Sequence, residues 1–134
     1  MKKVILILGL LITISFGATL EEATIAYNKG DYQTSKTIFE DLASKGDATA
    51  QYNLGVMYDF GKGVKQDYFK AKEWYEKAAN QGHVVAQYNL GIMYVNGYGV
   101  KQDYFKAKEY FGKACDNKDQ DACRNYKILN QQGY

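Results

Sequence analysis

Gln51-Tyr-Asn-Leu-Gly-Val-Met-Tyr58 returns 36 residues later as Gln87-Tyr-Asn-Leu-Gly-Ile-Met-Tyr94, and this internal copy decides the fold of the chain. When residues 47–82 are aligned with residues 83–118, 22 of the 36 positions are identical. Agreement at a fixed period of this length is typical of solenoids built from stacked repeats. The sequence therefore predicts a repeat protein in which each unit contacts only its neighbours.

Each repeat has the pattern of two helices joined by a loop that contains glycine. Apolar residues recur at three- and four-residue steps over 48–59 and predict the first helix; they are Ala50, Leu54, Met57 and Tyr58. Gly61 and Gly63 then interrupt the pattern, and Asp67 stands at the N-cap position of a second helix over 68–80. The side chains predicted to face inward from this second helix are Ala71, Trp74, Tyr75 and Ala78.

The same register extends beyond the two near-identical repeats at 47–82 and 83–118. Residues 18–46 predict an N-terminal helical hairpin with a shorter loop, and residues 119–134 predict a single C-terminal capping helix. Atypical terminal units are what a solenoid needs to end its stack. The expected total is about seven helices.

Residues 1–17 have the layout of a secretory signal peptide. Lys2 and Lys3 precede an unbroken apolar run from Val4 to Phe16. This run is shorter than the roughly 20 residues that a membrane-spanning helix needs. Cleavage after Gly17 would leave an exported protein, periplasmic or secreted, with no stable membrane anchor. An uncleaved N-terminal anchor is the alternative.

The charge balance argues against nucleic acid as a partner. The chain has 17 basic and 15 acidic residues, and Lys2 and Lys3 account for the difference. The mature chain is therefore formally neutral. Because phosphate neutralisation dominates nucleic-acid affinity, a binder of this kind normally has a basic face.

The repeat pattern resembles a known family. Ala50-x-Tyr52-x-Leu54-Gly55-x-Met57-Tyr58, Gly61-x-Gly63-Val64, Asp67, Ala71 and Trp74-Tyr75-x-Lys77-Ala78-Ala79 resemble the Sel-1-like repeat, a relative of the tetratricopeptide repeat with a longer loop. The resemblance covers residues 47–118, and the unit at 18–46 is similar to a tetratricopeptide hairpin. It implies an all-α, right-handed α/α superhelical solenoid of helix-turn-helix repeats.

The two cysteines fall in adjacent helices. Cys115 lies at the end of a predicted second helix and Cys123 in the first helix of the following unit. In an exported protein such a pair is expected to form a disulfide between the helices. A metal site is the alternative, but His83 is the only histidine and a closed zinc site needs four ligands. We expect no metal and no cofactor.

Lys113-Ala-Cys115, followed by Ala122-Cys-x-Asn125, resembles the Helicobacter cysteine-rich proteins, secreted Sel-1-like repeat proteins with one such bridge in each repeat. The chain departs from that pattern, because Ala79 and Gln87 occupy the equivalent positions one repeat earlier. The resemblance implies penicillin binding and β-lactamase activity, with a β-lactam or a cell-wall peptide as the ligand.

An asparagine precedes each Leu-Gly pair and recurs in the capping unit, as Asn53, Asn89 and Asn125, 36 residues apart. In tetratricopeptide proteins, which the repeat resembles, this residue faces a concave groove and its amide binds the backbone of a peptide. The resemblance therefore implies a peptide- or protein-binding groove. The alternative is that near-identical repeats have merely copied a solvated asparagine.

Further groove residues are predicted around these asparagines. They are Tyr52, Val56, Asp59, Phe60, Tyr88, Ile92, Val95, Asn96 and Arg124. Aromatic and aliphatic pockets among fixed amides suit an extended peptide. For Tyr52 and Tyr88 the alternative is a place in the core, because both belong to the repeat's own consensus.

The sequence contains no catalytic motif for β-lactam hydrolysis. The serines of the mature chain are Ser35 and Ser44, neither of which begins Ser-x-x-Lys, and Lys-Thr-Gly is absent. One histidine cannot supply the ligands of a zinc β-lactamase. The predicted function is therefore peptide or protein binding, and hydrolysis is an alternative that the resemblance alone implies.

Overall fold

The computed structural model describes residues 17–134, so the predicted signal peptide lies outside the described residues except for Gly17. Over the described part the backbone forms seven α-helices and no strands, which confirms the predicted all-α chain. The helices are α1 (Leu20–Asn28), α2 (Tyr32–Ser44), α3 (Ala48–Phe60), α4 (Tyr68–Asn80), α5 (Val84–Asn96), α6 (Tyr104–Asp116) and α7 (Gln120–Gln131). The predicted helices at 48–59 and 68–80 correspond to α3 and α4.

Side-chain caps determine where the helices begin. Each cap accepts a hydrogen bond from the backbone amide three residues later, which satisfies one of the free amides of the first turn. Aspartates cap five helices, as predicted for Asp67, and they are Asp31, Asp47, Asp67, Asp103 and Asp119. Thr19 caps α1, and His83 caps α5 through Nδ1.

Consecutive helices pack against one another along the whole stack. The core between them alternates small and large side chains, as close-packed helices require. Ala71, Ala78 and Leu54 are fully buried, and Trp74 is half-buried. Helical glycines allow the closest contacts: a Cβ added at Gly55 would lie 2.5 Å from the ring of Tyr75, and one added at Gly91 would lie 2.5 Å from Phe111.

Cys115 and Cys123 form the predicted disulfide, with their Cα atoms 4.5 Å apart. The upstream repeats connect the same positions differently. Gln51 Nε2 donates to the carbonyl oxygen of Ala43 at 3.3 Å, and Gln87 Nε2 donates to that of Ala79 at 3.2 Å. The disulfide therefore replaces a glutamine-to-carbonyl hydrogen bond that joins each second helix to the next first helix.

None of the described helices is both long enough and apolar enough to span a membrane.

Candidate functional site

Two pockets lie side by side and share Ile92. The first, of about 350 Å³, is formed by the end of α3, the loop that follows and α5. The second, of about 680 Å³, is formed by α5, α6 and α7. We call them the Asp59 pocket and the Val95 pocket, and together they are the groove. Two of the three asparagines predicted to face a groove, Asn89 and Asn125, line these pockets.

The two pockets are one structure repeated 36 positions along the chain. Seven lining positions correspond in pairs, which are Asp59 and Val95, Phe60 and Asn96, Tyr68 and Tyr104, Asn89 and Asn125, Ile92 and Ile128, Met93 and Leu129, and Tyr98 and Tyr134. Each pocket therefore contains the same asparagine and the same pair of tyrosines at equivalent positions of the repeat. The internal repeat thus produces a repeated surface as well as a repeated fold.

A pair of tyrosine rings forms one wall of each pocket, stacked in the first pocket and tilted by 37° in the second. The rings of Tyr68 and Tyr98 are 5.0 Å apart at 11°, and those of Tyr104 and Tyr134 are 4.7 Å apart. Gln66 Nε2 holds the first wall by donating to the Asp59 carbonyl at 2.6 Å, and it lies 3.2 Å from the Tyr68 hydroxyl. Gln102 makes the equivalent contacts in the second repeat. These walls are therefore fixed by packing and hydrogen bonds before any ligand binds.

The pockets differ in polarity at their base. In the first repeat, the hydroxyl of the fully buried Tyr75 donates to Asp59 Oδ2 at 3.0 Å. The equivalent residues one repeat later are Phe111 and Val95, so both partners have changed together and no polar group is left unpaired. The Asp59 pocket is therefore acidic at this point, whereas the Val95 pocket has valine and phenylalanine here and no charged side chain in its lining.

Burial dominates the electrostatics of the acidic pocket. It raises the pKa of the Asp59 carboxyl, and the hydrogen bond from Tyr75 opposes this rise. Burial, followed by the nearby Asp59 charge, also raises the pKa of Tyr75, while hydrogen bonding to the Asn89 amide opposes it. Asn89 has the same opposing effect on the burial-raised pKa of Tyr52. Asn89 thus belongs to a polar cluster with two tyrosines and one carboxylate.

The structure places only part of the predicted site in these pockets. Tyr88, Asn89 and Ile92 line the Asp59 pocket, and Ile92 and Asn125 line the Val95 pocket. The predicted residues that line neither are Tyr52, Asn53, Val56 and Arg124. Tyr52 instead stacks on His83 at 4.6 Å, Val56 packs on the core, and Arg124 is exposed and pairs with Asp121.

Sequence reasoning missed the groove residues outside the first helices. Gln66, Tyr68, Tyr98, Tyr104, Phe111 and Tyr134 lie in loops, second helices or the C-terminal segment. A signal for the tyrosines was present, because Tyr98 and Tyr134 are 36 residues apart, as are Tyr68 and Tyr104. The same period that revealed the fold therefore also marks these walls.

The residues considered for hydrolysis occupy separate local environments. Ser35 is fully buried in α2 and its hydroxyl has no partner among the described residues, while Ser44 Oγ donates to the Asp41 carbonyl. His83 Nδ1 accepts from the Ala86 amide. Their observed contacts do not pair a nucleophile with a base. Within residues 17–134 there is also no group of three or more His, Cys, Asp or Glu side chains suited to a metal ion.

His83 is expected to make stability dependent on pH. Burial lowers its pKa below the ordinary value of 6.5, since the neutral ring stacks on Tyr52 and accepts the cap hydrogen bond. The unfolded chain then binds more protons, so this stabilisation is present above pH 6.5 and is lost as the pH falls through the folded pKa. Urea unfolding at pH 7.5 and pH 5 is expected to reveal a loss of about 1 kcal/mol, the typical value of a cap.

His83→Asp provides the matched control for this pH effect, because aspartate caps the equivalent helices at Asp47 and Asp119. The variant is expected to lack the loss of stability between pH 7.5 and pH 5. An equal loss in both proteins would assign the pH dependence to other groups.

The family follows from comparison with known proteins. A model of the Sel1 repeat matches residues 48–83 and 84–119, which contain the helix pairs α3–α4 and α5–α6. The chain belongs to the Sel1 repeat family. Repeats of this family are scaffolds for protein–protein interaction. The predicted resemblance to Sel-1-like repeats is confirmed.

Solved Sel1-type structures share the solenoid. A Sel1 repeat protein from Oxalobacter formigenes superposes with a TM-score of 0.81 at 29% identity, covering 86% of this chain and 47% of its own. The antigen c5321, described as protective and present in uropathogenic Escherichia coli strains, gives 0.79 at 33% identity, covering 86% of this chain and 26% of its own. This chain therefore spans less than half the length of either relative.

The cysteine-rich protein B of Helicobacter pylori has the same fold, with a TM-score of 0.66 at 23% identity, covering 80% of this Sel1 chain and 96% of its own. The disulfide is compatible with an exported protein. No curated protein sequence matches the chain.

Proposed function

We propose that this Sel1 repeat protein binds an extended peptide segment of a partner protein in the groove. The observation that carries the proposal is the repetition of one pocket at a 36-residue period, each copy with an asparagine amide and a pair of tyrosine rings. An extended peptide presents backbone groups and side chains at regular intervals, which a repeated row of amides and pockets matches. Export of the mature chain from Ala18 is part of the proposal and places the partner outside the cytoplasm.

The two asparagines have the chemistry for backbone recognition. A side-chain amide both donates and accepts, as a peptide group does. Asn125 is half-buried and makes no side-chain hydrogen bond to any described residue, so it can pair with a ligand. Asn89 lines the other pocket, and its amide is near enough to the hydroxyls of Tyr52 and Tyr75 to oppose the rise in the pKa of each.

Selection from a random dodecapeptide display library tests the proposal. Peptides enriched on the immobilised mature protein are then titrated by fluorescence anisotropy. We expect the double substitution Asn89→Ala with Asn125→Ala to weaken binding about tenfold or more, since each lost hydrogen bond contributes about 1 kcal/mol.

Asn80→Ala is the matched control for this binding experiment. Asn80 is an exposed asparagine at the end of α4 and lines neither pocket. We expect this variant to bind as the parent protein does, and circular dichroism is expected to give equal helicity for all three proteins. Equal affinity of the double variant and the parent would refute groove binding.

A further inference from the structure

We propose that the Asp59 pocket binds a basic side chain of the peptide, lysine or arginine, while the adjoining Val95 pocket binds an apolar one. This inference rests on the proposed peptide binding and adds the ligand class. It depends on three features of the Asp59 pocket, namely its charge, its aromatic walls and its contrast with the second pocket.

Asp59 is an acidic group without a basic partner. It is the sole charged residue among those that line the pocket, and it takes part in none of the ion pairs within residues 17–134. Tyr75 satisfies Oδ2 only, so Oδ1 remains available. Burial penalises the charged carboxylate, as its raised pKa reflects, and an incoming cation would offset that cost.

Four aromatic residues line the pocket together with Asp59, and they are Phe60, Tyr68, Tyr88 and Tyr98. Phe60 is 64% exposed and Tyr98 is 45% exposed, so two large ring surfaces lie open at the pocket. Aromatic faces attract cations through their quadrupoles, and a carboxylate at the base adds a direct ion pair. An aromatic pocket with one carboxylate is thus suited to an ammonium or guanidinium group on an apolar stem.

The second repeat provides an internal contrast. Val95 replaces Asp59 and Phe111 replaces Tyr75, while the tyrosine pair and the asparagine are retained. The change removes the acid and its hydrogen-bond donor together, so the Val95 pocket has apolar side chains beside uncharged amides and no charged side chain. Because the pockets share Ile92, one extended segment can place a basic side chain in the first and an apolar side chain in the second.

Titration with N-acetyl-lysine amide and N-acetyl-arginine amide, followed by ¹H–¹⁵N NMR, tests the cation site directly. N-acetyl-norleucine amide serves as the uncharged control probe. We expect the two cationic probes to shift the amides of Asp59, Phe60 and Asn89, and the norleucine probe to bind there about tenfold more weakly because it lacks the ion pair. Raised salt is expected to weaken only the cationic probes.

Two variants isolate the carboxylate. Asp59→Asn keeps an acceptor for the Tyr75 hydroxyl and is expected to weaken binding of the cationic probes about tenfold, with an otherwise unchanged spectrum. Val95→Asp combined with Phe111→Tyr recreates the acidic pair one repeat later, and the cationic probes are then expected to shift amides around Asn125 as well.

Three results would overturn the inference. The norleucine probe binds as tightly as the lysine probe, Asp59→Asn leaves binding of the cationic probes unchanged, or no probe shifts the amide resonances of the pocket residues. These outcomes are separate from those of the display selection. If the selected peptides bind the groove but contain no basic residue, the proposal of peptide binding is supported and the proposed cation site is refuted. If the selection yields no peptide but NMR detects cation binding, only the proposal of peptide binding is refuted.

Discussion

Gly99→Ala is expected to destabilise the protein by about 3 kcal/mol or more, because it combines backbone strain with a collision against main-chain atoms. Gly99 has φ of +64°, in the left-handed region that side chains rarely adopt. A Cβ there would lie 2.5 Å from the carbonyl oxygen of Tyr68 and 3.0 Å from the amide nitrogen of Phe69. Neither backbone atom can move without displacing the start of α4. Denaturant unfolding measures the loss.

Gly82→Ala is the matched control, because Gly82 has φ of +85° but no atom within 4 Å of its added Cβ. It carries the conformational cost alone, which is about 1–2 kcal/mol. The difference between the two variants therefore measures the close approach of the loop to α4. Equal losses in the two variants would mean that the collision relaxes at little cost.

Gly99 also connects stability with the groove. Its neighbour Tyr98 stacks on Tyr68, whose carbonyl is the atom that an alanine at 99 would strike. In the Gly99→Ala protein the stack is displaced together with the loop. Glycine at position 99 therefore allows both the turn and the wall of the Asp59 pocket to form.

The sequence was sufficient to predict the helix pairs and the cap at Asp67 because these depend on local chemistry and on the 36-residue period. The cap is identified from residues within one turn of its helix. Asn53, Asn89 and Asn125 were selected by their spacing and by the tetratricopeptide resemblance, and Asn89 and Asn125 line a pocket whereas Asn53 lines neither. The fixed interval therefore identifies equivalent positions but not which of them line a pocket.

The polarity of the groove could not be predicted in the same way. Tyr75 and Asp59 are 16 residues apart on antiparallel helices, and their hydrogen bond depends on how α3 packs on α4. The sequence does show that Tyr75 and Asp59 are both replaced one repeat later, by Phe111 and Val95. This joint replacement can be interpreted only once the hydrogen bond between Tyr75 and Asp59 is known. Tyr52 was predicted to lie in the groove, but its side chain lies against His83 and Tyr75 and in neither pocket.

Removal of the disulfide by Cys115→Ser with Cys123→Ser is expected to destabilise the C-terminal end by about 2.5 kcal/mol, the loop-closure contribution for a short ring. The two cysteines are eight residues apart, and the bridge joins α6 to α7. Because repeat units are stabilised mainly by their neighbours, the loss is expected to concentrate in α7. Hydrogen exchange of the α7 amides is expected to accelerate by about 50-fold, since each 1.4 kcal/mol corresponds to a factor of ten.

Cys115→Ala with Cys123→Gln is the matched variant, because alanine and glutamine occupy these positions in the upstream repeats. There Gln87 Nε2 donates to the Ala79 carbonyl, and the same contact is expected between residues 123 and 115. This variant should recover about 1 kcal/mol relative to the serine pair, the net value of one hydrogen bond. Reductant is expected to destabilise the parent protein and neither variant. If α7 exchanges equally slowly in the oxidised parent and in the serine variant, the helix is held by packing against α6 and the bridge contributes nothing to its stability.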